Sequence, residues 1–122
     1  MQYDLNKLCN SIFNADDKIR FVGVINEMGQ LIAGSMKKGL TSLERDDGAL
    51  RLYLGYAINN ALRRDFDHEF GKVFYTFSER EKIKLLSIPI DDDLLIISME
   101  RSSKHVILID KILDIVRNLT KP

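Results

Sequence analysis

The sequence contains few of the residues from which small proteins build disulfides and metal sites. Its 122 residues include one cysteine, Cys9, two histidines and no tryptophan. One cysteine excludes an internal disulfide and a metal site built from cysteines, and a disulfide-free domain suits a reducing compartment. The two histidines, His68 and His105, stand far apart, and neither has the spacing typical of a zinc site. We therefore expect no metal and no other cofactor.

A net charge and long apolar runs are also missing. The 18 basic and 18 acidic residues cancel at pH 7, so no overall field attracts the chain to nucleic acid or to anionic lipid. No apolar run approaches the ~18 residues of a membrane-spanning helix, and acid and amide side chains occur too early for a signal peptide. These absences predict a cytoplasmic protein with no nucleic-acid partner and no membrane insertion. The length suits one domain, residues 1–122.

The spacing of apolar residues predicts both helices and strands. Helical spacing predicts a first helix capped by Asp4, a long helix from about Asp46 to about Phe66, and a closing helix capped by Ser102 or Ser103. Short apolar runs between turn residues predict a hairpin over 19–36 and three more strands, at 72–78, 82–90 and 94–101. The order α-β-β-α-β-β-β-α indicates a layered α/β fold, in which helices cover a five-stranded antiparallel sheet.

The predicted long helix carries apolar residues on two sides. A stripe at 3.6-residue spacing is expected to face the sheet, namely Leu50, Tyr53, Leu54, Ala57, Ile58, Ala61 and Leu62. Leu52 and Tyr56 would then point away from the sheet, beside Asn59 and Arg63, and Tyr and Arg are enriched in interfaces. Gly55 costs ~1 kcal/mol relative to alanine, but it would let another backbone approach closely. These residues predict a partner surface, with an incidental exposed face as the alternative.

The predicted strand at 72–78 is the second candidate for an interface. Val73, Phe74, Tyr75 and Phe77 give it aromatic or β-branched side chains on both faces. An edge strand of this composition tends to pair with another strand unless it is protected. Pairing with its own copy would satisfy it, and so would complete cover by helices of the same subunit. Both alternatives stay open at this point.

The order of elements resembles that of roadblock/dynein-light-chain and longin-like domains, and therefore a profilin-like fold. The residues that carry the resemblance are VGVINEMGQLIAG, an apolar-glycine-apolar strand and turn, followed by the long helix. The stretch DHEFGKVFYTFSEREKIKLLSIPIDDDLLIISME also resembles small archaeal proteins without an assigned function.

The roadblock resemblance implies a non-catalytic module that serves as a platform for small GTPases or larger assemblies. Such domains dimerise through their long central helices and third strands. The interface would then fall on the helix around Leu52 and Tyr56 and on the strand at 72–78.

Several stretches and residues could suggest a ligand-binding or catalytic site, but each is better explained by a structural role. Residues 29–35 imitate the glycine spacing of a phosphate-binding loop, but a serine replaces the lysine and the residues between are apolar, which predicts a hairpin. Asp91–Asp93 lack the ligand spacing of a calcium loop and predict a solvated turn. His68 is expected to cap the long helix, His105 to be a neutral surface imidazole, and Cys9 to be buried and inert.

The leading hypothesis is a homodimeric protein-interaction module, either a scaffold or a regulator of a small GTPase. The alternative is a small-molecule sensor with a pocket between the sheet and a helix, because PAS and other sensory domains share a related layered order. An enzyme is the third hypothesis, and it requires polar side chains to converge in a cleft.

Overall fold

The computed structural model describes residues 3–40 and 48–121. Its helices are α1 (Leu5–Phe13), α2 (Gly48–Arg64), α3 (Asp67–Phe70) and α4 (His105–Leu119). Its strands are β1 (Ile19–Ile25), β2 (Leu31–Met36), β3 (Thr76–Glu79), β4 (Ile83–Ile90) and β5 (Asp93–Glu100). None of these four helices is long and apolar enough to cross a membrane. The order agrees with the predicted one except for the short helix α3, which the sequence pattern does not predict.

The strands form one antiparallel sheet in the order β2-β1-β5-β4-β3. β5 lies at the centre, where Ile97 is opposite Val22 on one side and Leu86 on the other. Short connections join β1 to β2, β3 to β4 and β4 to β5, and a short hairpin connection allows only antiparallel pairing. The prediction of a five-stranded antiparallel sheet covered by helices is confirmed.

Helices cover both faces of the sheet. On one face α1 and α4 contribute side chains such as Ile12 and Ile112 to the larger core, the first cluster. On the other face Ala57 of α2 packs against Ile96 and its neighbours in a smaller core, the second cluster. Because both faces of β5 are covered, residues 94–97 are all apolar and do not alternate with polar residues.

The sequence predicts a capping side chain at the start of α1 and at the start of α4, and the structure confirms one of the two. The Asp4 carboxylate accepts hydrogen bonds from the backbone amides of Asn6 and Lys7, at 2.9 and 3.2 Å, so the predicted cap is confirmed. The predicted serine cap of α4 is wrong, because the residue at the cap position is Lys104 and it makes no side-chain cap bond. Ser103 lies one residue too early, in a turn closed by its amide and the Glu100 carbonyl.

The third strand is shorter than predicted. The sequence pattern predicts a strand at 72–78, whereas β3 begins at Thr76, which pairs with Ser87 of β4. Continuing this register would place Phe74 opposite Pro89, and proline has no backbone N–H to donate to a ladder. The strand therefore begins only after this position, and Phe74 is left exposed.

The long helix also ends earlier than predicted. α2 stops at Arg64, two residues before the predicted end, and the predicted start at Asp46 lies outside the described residues. The chain then forms α3 and reverses at Gly71, whose φ of 82° suits glycine. His68 is an exposed residue of α3, so the prediction that it caps the long helix is wrong.

Candidate interaction surface

The prediction of the sheet-facing side of α2 is confirmed for Tyr53 and Ala57 and wrong for the exposed Leu50, Leu54, Ile58 and Leu62, because Tyr56 faces the sheet in their place. Tyr53, Tyr56 and Ala57 pack in the second cluster, and the ring of Tyr53 stacks on Phe21 with centroids 6.0 Å apart. Apolar side chains occur around most of α2, so periodicity alone does not select one face. The face with the two tyrosines covers the sheet because it brings the largest rings onto the apolar strands.

Most of the stripe that was predicted to face the sheet is exposed to solvent instead. Leu50, Leu54, Ile58 and Leu62, which we call the outer row, are 69, 47, 52 and 57 % exposed. They follow one another at four-residue spacing and so lie along one side of the helix. Four large aliphatic side chains in solvent on one helix form the main apolar surface of α2.

Two of the predicted interface residues are partly inside the subunit. Leu52 is half-buried, and Tyr56 packs in the second cluster. Burial raises the pKa of the Tyr56 hydroxyl, although a side-chain hydrogen bond with Ser78 and the nearby charges of Arg80 and Arg63 act in the opposite direction. Tyr56 therefore ties α2 to β3, and it does not point away from the sheet as predicted.

The other predicted residues of α2 lie at or near its outer surface. Asn59 and Arg63 are exposed. A Cβ atom built on Gly55 would meet no atom of residues 3–40 and 48–121 within 4 Å, so the described part of the chain leaves the surface beside this glycine open. These three residues and the outer row belong to adjoining sides of the same helix. The exposed side chains on these sides of α2 are available for contact with another chain.

The residues predicted from the strand at 72–78 separate into two groups. Val73 and Phe77 are half-buried, and Phe77 packs on the first cluster and stacks on His105 with ring centroids 4.7 Å apart. Phe74 and Tyr75 are exposed. Phe77 thus packs within its own subunit, and Phe74 and Tyr75 are the two residues of this group that expose an aromatic ring.

Two further aromatic residues are exposed, and neither is a predicted interface residue. Phe66 and Phe70 stack on each other with ring centroids 5.9 Å apart, and both are exposed. Together with Phe74 and Tyr75 they make four exposed aromatic residues between 66 and 75, which we call the exposed aromatic segment. Phe66, Phe70 and Phe74 continue the four-residue spacing of the outer row past the end of α2, and this spacing is the sequence signal that could have revealed them.

The candidate loops are structural, as predicted. Residues 29–35 form the turn and second strand of the β1–β2 hairpin. Gly29 lies against α2, since a Cβ atom there would be 2.9 Å from the Cα atom of Leu54. Through this close contact the turn of the β1–β2 hairpin packs against α2.

The acidic turn between β4 and β5 contacts two other parts of the molecule. Asp91 accepts a hydrogen bond from the Tyr3 hydroxyl at 3.1 Å, and Asp92 accepts one from Arg64 at 3.1 Å. Burial, followed by the charges of Asp92, Glu27 and Asp91, raises the pKa of Asp93. Over residues 3–40 and 48–121, no group of three acidic, histidine or cysteine side chains could hold a metal ion.

The structure also contains a buried lysine that sequence reasoning missed. Lys84 of β4 is 4 % exposed, and its ammonium donates to the Ser103 carbonyl and contacts His105. His105 is half-buried rather than at the surface as predicted. Cys9 is buried as predicted, and burial raises the pKa of its thiol to about 11, which makes it a poor nucleophile at neutral pH.

The fold agrees with the predicted resemblance. A Roadblock/LC7 domain from Streptomyces avermitilis aligns with a TM-score of 0.66 and 15% identity, covering 94% of this chain and 96% of that one. MglB from Myxococcus xanthus aligns with a TM-score of 0.66 and 18% identity over 93% and 91% of the two chains. Profilin from Schizosaccharomyces pombe gives a TM-score of 0.61 and 9% identity over 97% and 100%.

These similarities show that the chain has the layered roadblock fold, which profilin also resembles. A search of curated proteins found no match. A family of unknown function, DUF6659, matches residues 3–121, almost the whole sequence. The chain therefore belongs to the family of unknown function DUF6659.

Proposed function

We propose that the chain is a non-catalytic protein-interaction module that forms a homodimer through the outer side of α2 and the free edge of β3. The observation that carries the proposal is the outer row, with its four large aliphatic side chains in solvent. Single exposed apolar residues are ordinary in proteins, whereas a contiguous apolar surface marks a site for a partner.

Two features of α2 suit a second copy of the same helix. Gly55 has open space beside it, so a facing helix can approach closely at this point. Two copies related by a twofold axis would present the same outer row to each other, which is the usual geometry of a homodimer. The formal net charge of zero adds no overall repulsion between the copies.

The edge of the sheet supports the same arrangement. Within the described ranges β3 pairs only with β4, so its other edge presents unpaired backbone N–H and C=O groups. Antiparallel pairing with β3 of a second copy would satisfy these groups and extend the sheet. Phe74 and Tyr75 lie directly before this edge and would add apolar contact area.

The resemblance to roadblock domains suggests what the dimer would bind. Because such domains serve as platforms for small GTPases and larger assemblies, a small GTPase is the further partner that we propose to test. The exposed aromatic segment offers side chains of a kind that such a protein could bind, since aromatic residues are enriched in interfaces.

The dimer is tested by measuring solution mass with light scattering over a tenfold range of concentration. We expect the wild type to be a dimer and Ile58→Glu to be a folded monomer, because the glutamate would place a charge in the apolar interface. Val106→Glu is the matched control, since Val106 is also a largely exposed aliphatic residue (70 %), on α4 on the other face of the sheet. A wild type that is monomeric at every concentration would overturn the proposal.

A second variant tests whether dimer formation can be lost while the fold of the monomer is kept. Gly55→Phe introduces a ring at a position where an added Cβ atom meets no described atom within 4 Å, so we expect the monomer to fold while close helix contact is blocked. We expect this variant to be monomeric with an unchanged circular dichroism spectrum. Tyr56 is less suitable for such a test, because it packs in the second cluster.

A further inference from the structure

A cleft opens between the sheet and the first half of α2. Its volume is about 330 Å³, within the range of ~300–1,000 Å³ that small-molecule sites occupy. Leu85 and Ile96, both buried, form its apolar floor. Leu52, Tyr53 and the ring of Phe21 form its walls.

The cleft exists because α2 covers only part of this face of the sheet. The second cluster places Ala57 against Ile25, Leu94 and Ile96. Leu85 lies on the next strand, beyond this cluster, and belongs to neither core. The sheet therefore keeps an apolar strip beside α2 that no side chain of the helix fills.

Polar donors line the cleft around this apolar floor. Arg20 and Arg80 both contribute to its lining, together with the buried Ser98. The Arg20 guanidinium is 2.7 Å from the Glu100 carboxylate, so its charge is already compensated. Arg80 has no carboxylate partner anywhere in residues 3–40 and 48–121. A guanidinium without a carboxylate partner among the described residues, beside an apolar cleft, is complementary to an acid with an apolar body.

We infer that this cleft binds a small carboxylic acid with an aliphatic or aryl body. The carboxylate pairs with Arg80, and the body of the molecule lies on Leu85 and Ile96 between the sheet and α2. The site matches the alternative function predicted from the sequence, a ligand pocket between the sheet and a helix. It uses residues of one chain only, so it does not depend on the proposed dimer.

The probe is octanoate, and octanamide, which has the same chain without the charge, is its control. Both are titrated into the ¹⁵N-labelled full chain, and the amide chemical shifts are followed by NMR. We expect saturable octanoate shifts at amides of the cleft, such as those of Leu52, Tyr53, Leu85 and Ile96. Octanamide should bind at the same place at least several-fold more weakly, because it cannot form the ion pair with Arg80.

Two exposed cations of the same turn provide matched variants. Arg80→Gln should weaken octanoate binding about threefold to tenfold and leave octanamide binding unchanged. Lys82→Gln removes a charge from the same β3–β4 turn and should change neither. Leu52→Trp places a larger side chain in the wall of the cleft and should weaken both ligands. The dispersion of each variant's spectrum shows whether it is folded.

The inference is overturned if octanoate causes no saturable shifts, if the shifts map away from the cleft, or if Arg80→Gln binds octanoate as tightly as Lys82→Gln does. The monomeric Ile58→Glu variant tests whether octanoate binding depends on the dimer, because Ile58 does not line the cleft. Octanoate should bind that variant as it binds the wild type. A wild type that is monomeric but binds octanoate would overturn only the proposed dimer.

Discussion

The ammonium of Lys84 lies 2.8 Å from Nδ1 of His105 and donates a hydrogen bond of 2.7 Å to the Ser103 carbonyl. A buried ammonium is costly unless acceptors surround it. Ser103 belongs to the connection between β5 and α4, and His105 is the first residue of α4, so the lysine joins the sheet to the start of the last helix. The His105 ring stacks on Phe77, which adds β3 to the same cluster.

Two substitutions of His105 distinguish the stability contributed by its contact with Lys84 from that contributed by its stacking on Phe77. His105→Phe keeps a ring for stacking on Phe77 but removes the acceptor for Lys84, and we expect it to lower the free energy of unfolding by about 1–3 kcal/mol. His105→Ala loses the ring as well and should cost more. Urea denaturation measures both effects. If the phenylalanine variant is as stable as the wild type, the acceptor at His105 is unimportant for Lys84.

Two glycines should respond to alanine in opposite directions. Gly34 has a φ of 103°, and an added Cβ atom would clash with the backbone carbonyl of Val22. Gly34→Ala should therefore lower the free energy of unfolding by at least ~2 kcal/mol. Gly55→Ala, in the middle of α2 with open space beside it, should raise it by up to ~1 kcal/mol.

The same urea titrations measure the two glycine variants side by side. Equal effects at the two positions would contradict the assignment of a strained backbone to Gly34 and of a free helical surface to Gly55. The Gly55 variant should be compared at a concentration where the wild type is monomeric, because a dimer would add its own contribution.

The carboxyl of Asp93 should make stability depend on pH. Its pKa in the folded chain is raised above the ordinary value of 3.8 by burial and by neighbouring carboxylates, so folding favours the protonated form. This contribution to stability is fully present below about pH 3.8 and is lost as the pH rises through the raised folded pKa. We therefore expect Asp93→Asn to raise the melting temperature at pH 7 and to give no such gain at pH 3.

The control for this prediction is Asp17→Asn, which removes a carboxylate from an exposed position. Calorimetric melting curves at the two pH values measure both variants. An Asp93→Asn variant whose melting temperature differs from the wild type by the same amount at pH 3 and pH 7 would contradict the assigned direction of the pKa shift.

Sequence reasoning recovered the elements that depend on near neighbours. The Asp4 cap, the hairpin at 29–35 and the turn at Asp91–Asp93 follow from residues within a few positions of each other. Strand boundaries were less accurate, since the start of β3 depends on Pro89 in the facing strand. The buried Lys84 was missed, because an isolated lysine between apolar residues gives no local sign of the acceptors that it will meet.

The sequence by itself determined the order of the helices and strands other than α3, and with it the layered roadblock fold, because propensity and apolar spacing act within each segment. Only the tertiary structure decided which side of α2 faces the sheet. Beside Tyr53 and Ala57, Tyr56 could pack on the strands as well as Leu54 and Ile58 could, and the choice depends on how each side fits over Phe21 and Ile96. Interactions between distant segments make that choice, and it leaves the outer row free for a partner.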